Sequence, residues 1–224
     1  MKTRAATTLG AACALATILG SARVFAAEPR SPFPEHAALD AVGGSPAKGA
    51  YVLSAQGGWP FSFLRAQVGL SRRITLQSEL ESVVGRRYRP MLGIGVRIAD
   101  AKHLRLTGEF LAGWLFQRGE EYRRGPNGEL RFRLAIPVRR FVPYLVLGTR
   151  HAFLPDLLTI ERASGTETSW SVRHEWTPWA TLGLGFALSR GVGLDLGLNY
   201  GWVGAPDTIA LPGVHLGLHF GGDR

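Results

Sequence analysis

The chain has 224 residues, a formal net charge of +9, 46% hydrophobic residues, 29 glycines, 6 tryptophans and one cysteine. That length suits one domain, and no long Gly/Ser linker or compositional break argues for two. Beyond the first residues no apolar run reaches about 18, which excludes a transmembrane helix.

Residues 1–26 read as a secretory signal peptide. Lys2 and Arg4 give the positive start, Leu9 to Leu19 the apolar stretch, and the Ala-rich end allows cleavage after Ala26 or Ala27. Lipoprotein processing at Cys13 fits less well, because no Leu stands three places before it. Cleavage removes Lys2, Arg4 and Arg23 and no acid, so +9 becomes +6, and Cys13 leaves with them. A mature exported chain without cysteine has no disulfide, so burial or the membrane must stabilise it.

Residues 27–48 carry Pro29, Pro32, Pro34 and Pro46, which suppress helix and central strand. They read as an irregular leader with a helical turn at Glu35 to Val42.

From residue 49 to 220 apolar residues recur at every second position, the mark of two-faced strands. Weaker examples are Ala50 to Gln56, Phe61 to Leu70 and Phe141 to Arg150. Ile74, Leu76 and Leu80 oppose Thr75, Gln77 and Glu79, and Leu92, Ile94, Val96 and Ile98 oppose Gly93, Gly95 and Arg97. The pattern continues through Leu104 to Phe116 and Leu130 to Ile136, then Leu182 to Leu188, Val192 to Trp202 and Val214 to Phe220. Short polar breaks near 71–73, 99–103, 138–141 and 189–192 alternate with longer connections at Gly85 to Pro90, Arg118 to Glu129, Ala152 to Glu175 and Gly204 to Pro212. Short turns at one end and long loops at the other predict an all-β, closed antiparallel transmembrane barrel of about ten strands, eight being the lower count. Residues 221–224 form a tail.

In lipid every backbone group must be paired, so the strands must close into a ring. Large residues then face hydrocarbon, while Gly95, Gly113, Gly183, Gly185 and Gly197 leave lumen space for longer side chains. The aromatic girdle expected at the interfaces has Trp114, Phe116, Phe132, Tyr200 and Trp202 at the loop ends, with Phe141 and Phe220 at the turn ends. A soluble lipocalin-like barrel, apolar inside, is the competing reading, but its exterior should be densely charged rather than Gly-rich.

With its signal peptide, alternating strands, turn asymmetry and Phe220 ending the last strand, the chain resembles the small Gram-negative outer-membrane β-barrels of the OmpA/OmpX type, enlarged by one hairpin. The resemblance covers residues 49 to 220 and departs at the tail, since those proteins usually end on the aromatic residue. It implies an outer-membrane location and insertion by the barrel-assembly machinery. A monomer with a structural or surface-interaction role is expected, ahead of a porin-like channel.

Glu79, Glu81, Glu109 and Asp195 share the expected lumen with Arg97, Arg105, Arg131 and Arg133. Such charges either select solutes or pair and plug the interior, and the narrow ring favours the plug. His151, Asp156 and His174 flank the longest loop, with no spacing that sets a nucleophile beside its base. No enzyme, cofactor or metal is expected. His215 and His219 lie about 13 Å apart along one strand face, too far for one metal ion. Basic Arg86 to Arg89 and Tyr122 to Arg124 suit lipopolysaccharide head groups rather than nucleic acid in an exported chain.

Overall fold

The computed structural model describes residues 42–59, 61–83, 86–101, 104–118, 123–162, 165–202 and 210–222. The signal peptide and most of the leader, including its expected helical turn up to residue 41, lie outside these residues. Ten strands follow in order: β1 (Tyr51–Trp59), β2 (Phe61–Gly69), β3 (Ile74–Val83), β4 (Arg87–Ala101), β5 (Leu104–Gln117), β6 (Arg123–Ala135), β7 (Phe141–Arg162), β8 (Gly165–Ala187), β9 (Val192–Trp202) and β10 (Ala210–Gly222). Each pairs antiparallel with the next, and β10 pairs with β1 to close the barrel. No helix among the described residues is long and apolar enough to cross a membrane.

Alternation within each strand sets the two faces. Leu53, Leu64, Leu76, Leu92, Phe110, Leu147, Leu182, Leu196 and Leu216 are exposed on the outside, while Glu79, Glu109, Arg131 and Asp195 are buried inside. A barrel apolar outside and polar inside reverses the soluble arrangement, and its closed ladder leaves no strand edge unpaired for lipid to meet.

The ladders also fix the width. Partners lead from Gly222 through Tyr51, Val68, Leu76, Ile94, Phe110, Leu130, Thr149 and Pro178. One residue's continuation of the β8–β9 register leads on to Trp202 and so to Ala210. The circuit returns to β10 displaced from Gly222 to Ala210, a shear of 12 residues. With a strand spacing of about 4.8 Å and a rise of about 3.3 Å, ten strands and this shear give a tilt of about 40° and a backbone radius of about 10 Å. Side chains reaching inward from opposite walls of such a ring meet.

Three features differ from the sequence expectation. Length at the loop end comes from strands that run on: β6 starts at Arg123, and residues 152–162 and 165–175 form the outer halves of β7 and β8. Their β-branched residues, among them Thr159, Ile160, Thr166, Thr168 and Val172, suit an extended ribbon, but nothing there needs a lipid-facing alternation. Pro90, Pro126, Pro155, Pro178 and Pro212 consequently stand within strands. Gly221 and Gly222 pair with Val52 and Tyr51, so the tail begins two residues later than expected.

Candidate functional site in the barrel lumen

All eight charged residues singled out from the sequence, Glu79, Glu81, Arg97, Arg105, Glu109, Arg131, Arg133 and Asp195, are buried on the inner face. They fall into three neighbourhoods, with Arg133 linking the first to the second.

The first fills the middle. Glu79 accepts from Arg65 (Nε to Oε2 2.8 Å) and from Arg131 (Nη1 to Oε2 2.8 Å, Nη2 to Oε1 2.6 Å). Arg131 also donates from Nε to Glu129 at 2.6 Å and lies 3.7 Å from Glu109, which accepts from Arg133 at 3.3 Å. Towards the loop end Glu81 accepts from Arg150 at 2.9 Å and from Arg89 at 3.3 Å. Glu129 is 3.0 Å from Arg89. The guanidinium of Arg150 lies over the rings of Phe61 and Trp179, 4.8 and 5.0 Å from their centroids. Carboxylates and guanidinia thus alternate across the lumen, each meeting opposite charge as burial demands.

The second group closes the turn end. Residues 42–46, Val-Gly-Gly-Ser-Pro, are buried inside the ring. Arg133 donates to the Val42 carbonyl at 2.9 Å and Arg97 to the Ser45 carbonyl at 2.7 Å. Ser45 shares a 2.8 Å hydrogen bond with Thr75, and the Thr107 hydroxyl reaches the Gly43 carbonyl at 3.4 Å. Gly44 has φ +93°, and a Cβ there would meet Arg133 and Thr107. Arg97 and Arg105 also pair with Asp100 at 2.9 and 3.6 Å.

The third group surrounds Asp195. Its Oδ2 accepts from Tyr144 at 2.7 Å and Gln56 at 2.8 Å and lies 3.3 Å from His215 Nε2; its Oδ1 lies 3.4 Å from His219 Nε2. His219 Nδ1 contacts the Ser54 hydroxyl at 2.8 Å. The two histidines, too far apart to share a metal along their own strand, converge on this one carboxylate from β9. Among the described residues no cluster of three or more metal-ligating side chains could hold an ion.

Of the five glycines expected to make room, Gly183, Gly185 and Gly197 do so, for other neighbours, while Gly113 lies against the Pro90 backbone and a Cβ at Gly95 would meet nothing closer than 3.6 Å. A Cβ at Gly183 would strike the Tyr144 ring, at Gly197 the His215 ring, at Gly185 Val42, and at Gly217 Asp195. As lumen groups, Arg65, Arg89, Glu129 and Arg150 were missed from the sequence, and they take part in five of the eight central pairs named above. Arg65 and Gln67 alternate with Leu64, Ala66 and Val68, a readable signal in a strand otherwise obscured by inward Phe61 and Phe63.

Of the girdle residues, Trp114 and Tyr200 are exposed near the loop ends and Phe141 and Phe220 near the turn ends. Phe116 is half-buried, and the Trp202 side chain lies outside the described ones. Phe132 is a correction: it stands opposite Gly108 and Leu147, three residues from the end of β6, nearer the turns than the loops. The Arg86 to Arg89 run is split by the strand, since Arg89 enters the lumen and Arg87 lies 3.8 Å from Glu175, leaving Arg86 exposed outside. Arg118 and Arg124 are exposed as well, whereas Tyr122 lies outside the described residues.

At the root of the β7–β8 ribbon, His151 and His174 meet, Nδ1 to Nε2 at 3.0 Å. Burial, and then the neighbouring His174, hold the His151 pKa below the ordinary imidazole range. Asp156, the third residue of that sequence cluster, has its side chain outside the described ones.

No family model matches the chain, and no curated protein does. Solved structures with a similar course include the N-terminal β-barrel domain of Pseudomonas aeruginosa OprF, at 11% identity and TM-score 0.38, covering 78% of this chain and 98% of that one. Neisserial surface protein A follows at 14% identity and TM-score 0.37, covering 79% and 99%. Outer membrane phospholipase A from Escherichia coli matches at 10% identity and TM-score 0.35, covering 84% and 98%. The chain is thus similar, at low identity, to outer-membrane β-barrels of varied roles, and its own architecture is a closed ten-stranded antiparallel barrel.

Proposed function

We propose that the protein is a non-enzymatic barrel of the Gram-negative outer membrane, with a structural or surface-interaction role and a lumen closed to ion flow. The observation that carries this reading is Glu79 clamped between Arg65 and Arg131 at mid-lumen, on a radius that leaves little room around them. Residues 42–46 block the turn end in addition. A selective pore needs charges that face a water path, whereas these face one another. In this reading the cell's barrel-assembly machinery inserts the chain, which works as a monomer. Exposed Arg86, Arg118 and Arg124 meet the anionic head groups of lipopolysaccharide at the rim.

Two measurements test it. On fractionation the protein should appear in the outer membrane and run anomalously in SDS electrophoresis until boiled; recovery as soluble periplasmic protein overturns the location. In planar bilayers the purified protein should show little or no steady conductance. Stable, ion-selective openings overturn the closed lumen and favour a small-solute channel.

A further inference from the structure

The outer face of β6, β7 and β8 does not stop being apolar where the barrel leaves the hydrocarbon. On this face β7 presents Thr149, His151 and Phe153, and β8 presents Pro178, Trp176, His174 and Val172. Phe153 is 44% exposed, Trp176 62% and Val172 70%. The rings are held in place: Phe153 stacks on His174 with centroids 4.8 Å apart and planes 14° apart, and the two imidazoles lie nearly coplanar, 9° apart. The Trp176 indole donates to Thr149 Oγ1, which also contacts His151 Nε2 at 3.2 Å. A chain of hydrogen bonds therefore runs from indole through hydroxyl to both imidazoles.

Height follows from the barrel geometry. At a tilt of about 40°, a strand gains about 2.5 Å of height per residue, and each step along a hydrogen-bonded row towards β10 gains about 3 Å. Measured from Trp114 on β5 and Tyr200 on β9, the rings of His151, Trp176, Phe153 and His174 lie at or within about 10 Å above the upper aromatic level. His151 and Trp176 fall within the headgroup layer, which adds roughly 5–7 Å to each side of the hydrocarbon core, and Phe153 and His174 at its outer edge.

Charge completes the picture. Gly125 abuts Phe153 and Leu154, so Arg124, the next residue of β6, stands exposed on the same outer face. Across the outer-facing positions Arg124, Pro126 and Gly128 of β6, Thr149 to Phe153 of β7 and Val172 to Pro178 of β8 there is no carboxylate. Glu129 and Glu175 point inward. Directly below, the same face is lipid-facing, with Leu147 and Leu182 exposed.

We infer that this face is a docking site for a phosphorylated glycolipid of the outer leaflet. Its acyl chains lie along the leucine surface, its sugar rests against the row of rings, and its phosphate meets Arg124 and an imidazole N–H. The inference rests on the outer-membrane reading above. A phosphate between a guanidinium and an imidazole gains charge-assisted hydrogen bonds, and aromatic side chains with one polar edge suit the interfacial layer. The continuous apolar surface below selects a lipid-anchored phosphate over a soluble one.

The test uses the full chain refolded in phosphatidylcholine vesicles, with and without a bisphosphorylated lipid A, and reads tryptophan emission and native mass spectrometry. Lipid A should shift the emission and leave one or two lipid adducts on the gently released barrel. Arg124→Ala and His174→Ala should each weaken that binding by about tenfold while unboiled gel mobility stays that of the folded barrel. Trp176→Phe should keep the gel mobility of the folded barrel and lose the emission change. Equal binding by both Ala variants, or adducts of phosphatidylcholine as abundant as those of lipid A, overturns the site. A response to glucosamine 1-phosphate in solution matching that to lipid A overturns the lipid-anchored source, and a dimer on release assigns the face to a second copy instead. Because barrel folding is read separately on the gel, a failure of the site is distinguishable from a failure of the outer-membrane reading.

Discussion

Replacing Glu79 by Ala removes the carboxylate that sits between two buried guanidinia. Arg131 keeps Glu129 at 2.6 Å and Glu109 at 3.7 Å, so its charge stays compensated. Arg65 fares worse: among the described residues it loses its hydrogen-bonded carboxylate and keeps the charge of nearby Glu109 and the ring of Phe63, 5.5 Å from its guanidinium carbon. Removing one partner of a buried pair costs about 3–5 kcal/mol, because the survivor stays desolvated and uncompensated. Glu79→Ala is therefore expected to lower stability by an amount in that range, measured by reversible urea unfolding in lipid vesicles with tryptophan fluorescence as the probe. Adding Arg65→Met should recover part of the loss, since an apolar side chain in that place asks for no partner. A single-variant loss below about 1 kcal/mol, or a double variant less stable than the single, would show that water reaches the mid-lumen and solvates Arg65, and the closed-lumen argument would fall with it.

The lipid face makes the opposite kind of prediction. Leu196 is 51% exposed in mid-strand, so Leu196→Arg should cost about 2–4 kcal/mol in vesicle folding. Leu196→Ala should cost clearly less than the 2–5 kcal/mol typical of a packed core, because acyl chains fill the gap; a loss at the upper end would mean that Leu196 is packed against protein. In the turn-end segment, Gly44 and Gly49 both have positive φ, +93° and +81°, but a Cβ at Gly49 meets nothing within 4 Å. Gly49→Ala should lose only the backbone term of about 1–2 kcal/mol, and Gly44→Ala distinctly more in the same unfolding assay; equal losses would mean the segment is not seated against Arg133 and Thr107.

What the sequence made legible is what period two controls. Alternation is enforced wherever one face meets lipid, so strands such as Leu92 to Ile98 and Val192 to Trp202 stand out, and the inward acids and arginines follow from their parity. Pairing across the ring is another matter. Arg65 and Glu79 face each other through the β2–β3 register, but Arg131 reaches Glu79 from a strand 52 residues away, and only closure at this shear brings them together. Asp195 and its two histidines are hidden for the same reason. The outer parts of β7 and β8 were illegible because they rise beyond the hydrocarbon, which alone demands a period-two pattern. Residues 42–46 gave no signal either: their glycines and proline look like a linker, and what places them is the carbonyl acceptors that every peptide carries.

Those five residues have a mechanical consequence. In a ring of ten strands β6 lies diametrically across from β1, the strand they precede, and Arg133 of β6 grips Val42 while Arg97 and Thr75, on β4 and β3, grip Ser45. The segment is a tie across the mouth of the cylinder. A thin-walled tube resists squeezing poorly, because flattening it into an oval bends each interstrand ladder only slightly. A tie anchored at opposite walls turns that soft bending mode into a stretch of charge-assisted hydrogen bonds. The turn end should therefore hold its round cross-section under lateral pressure from the bilayer, leaving the untied loop end as the compliant half of the molecule.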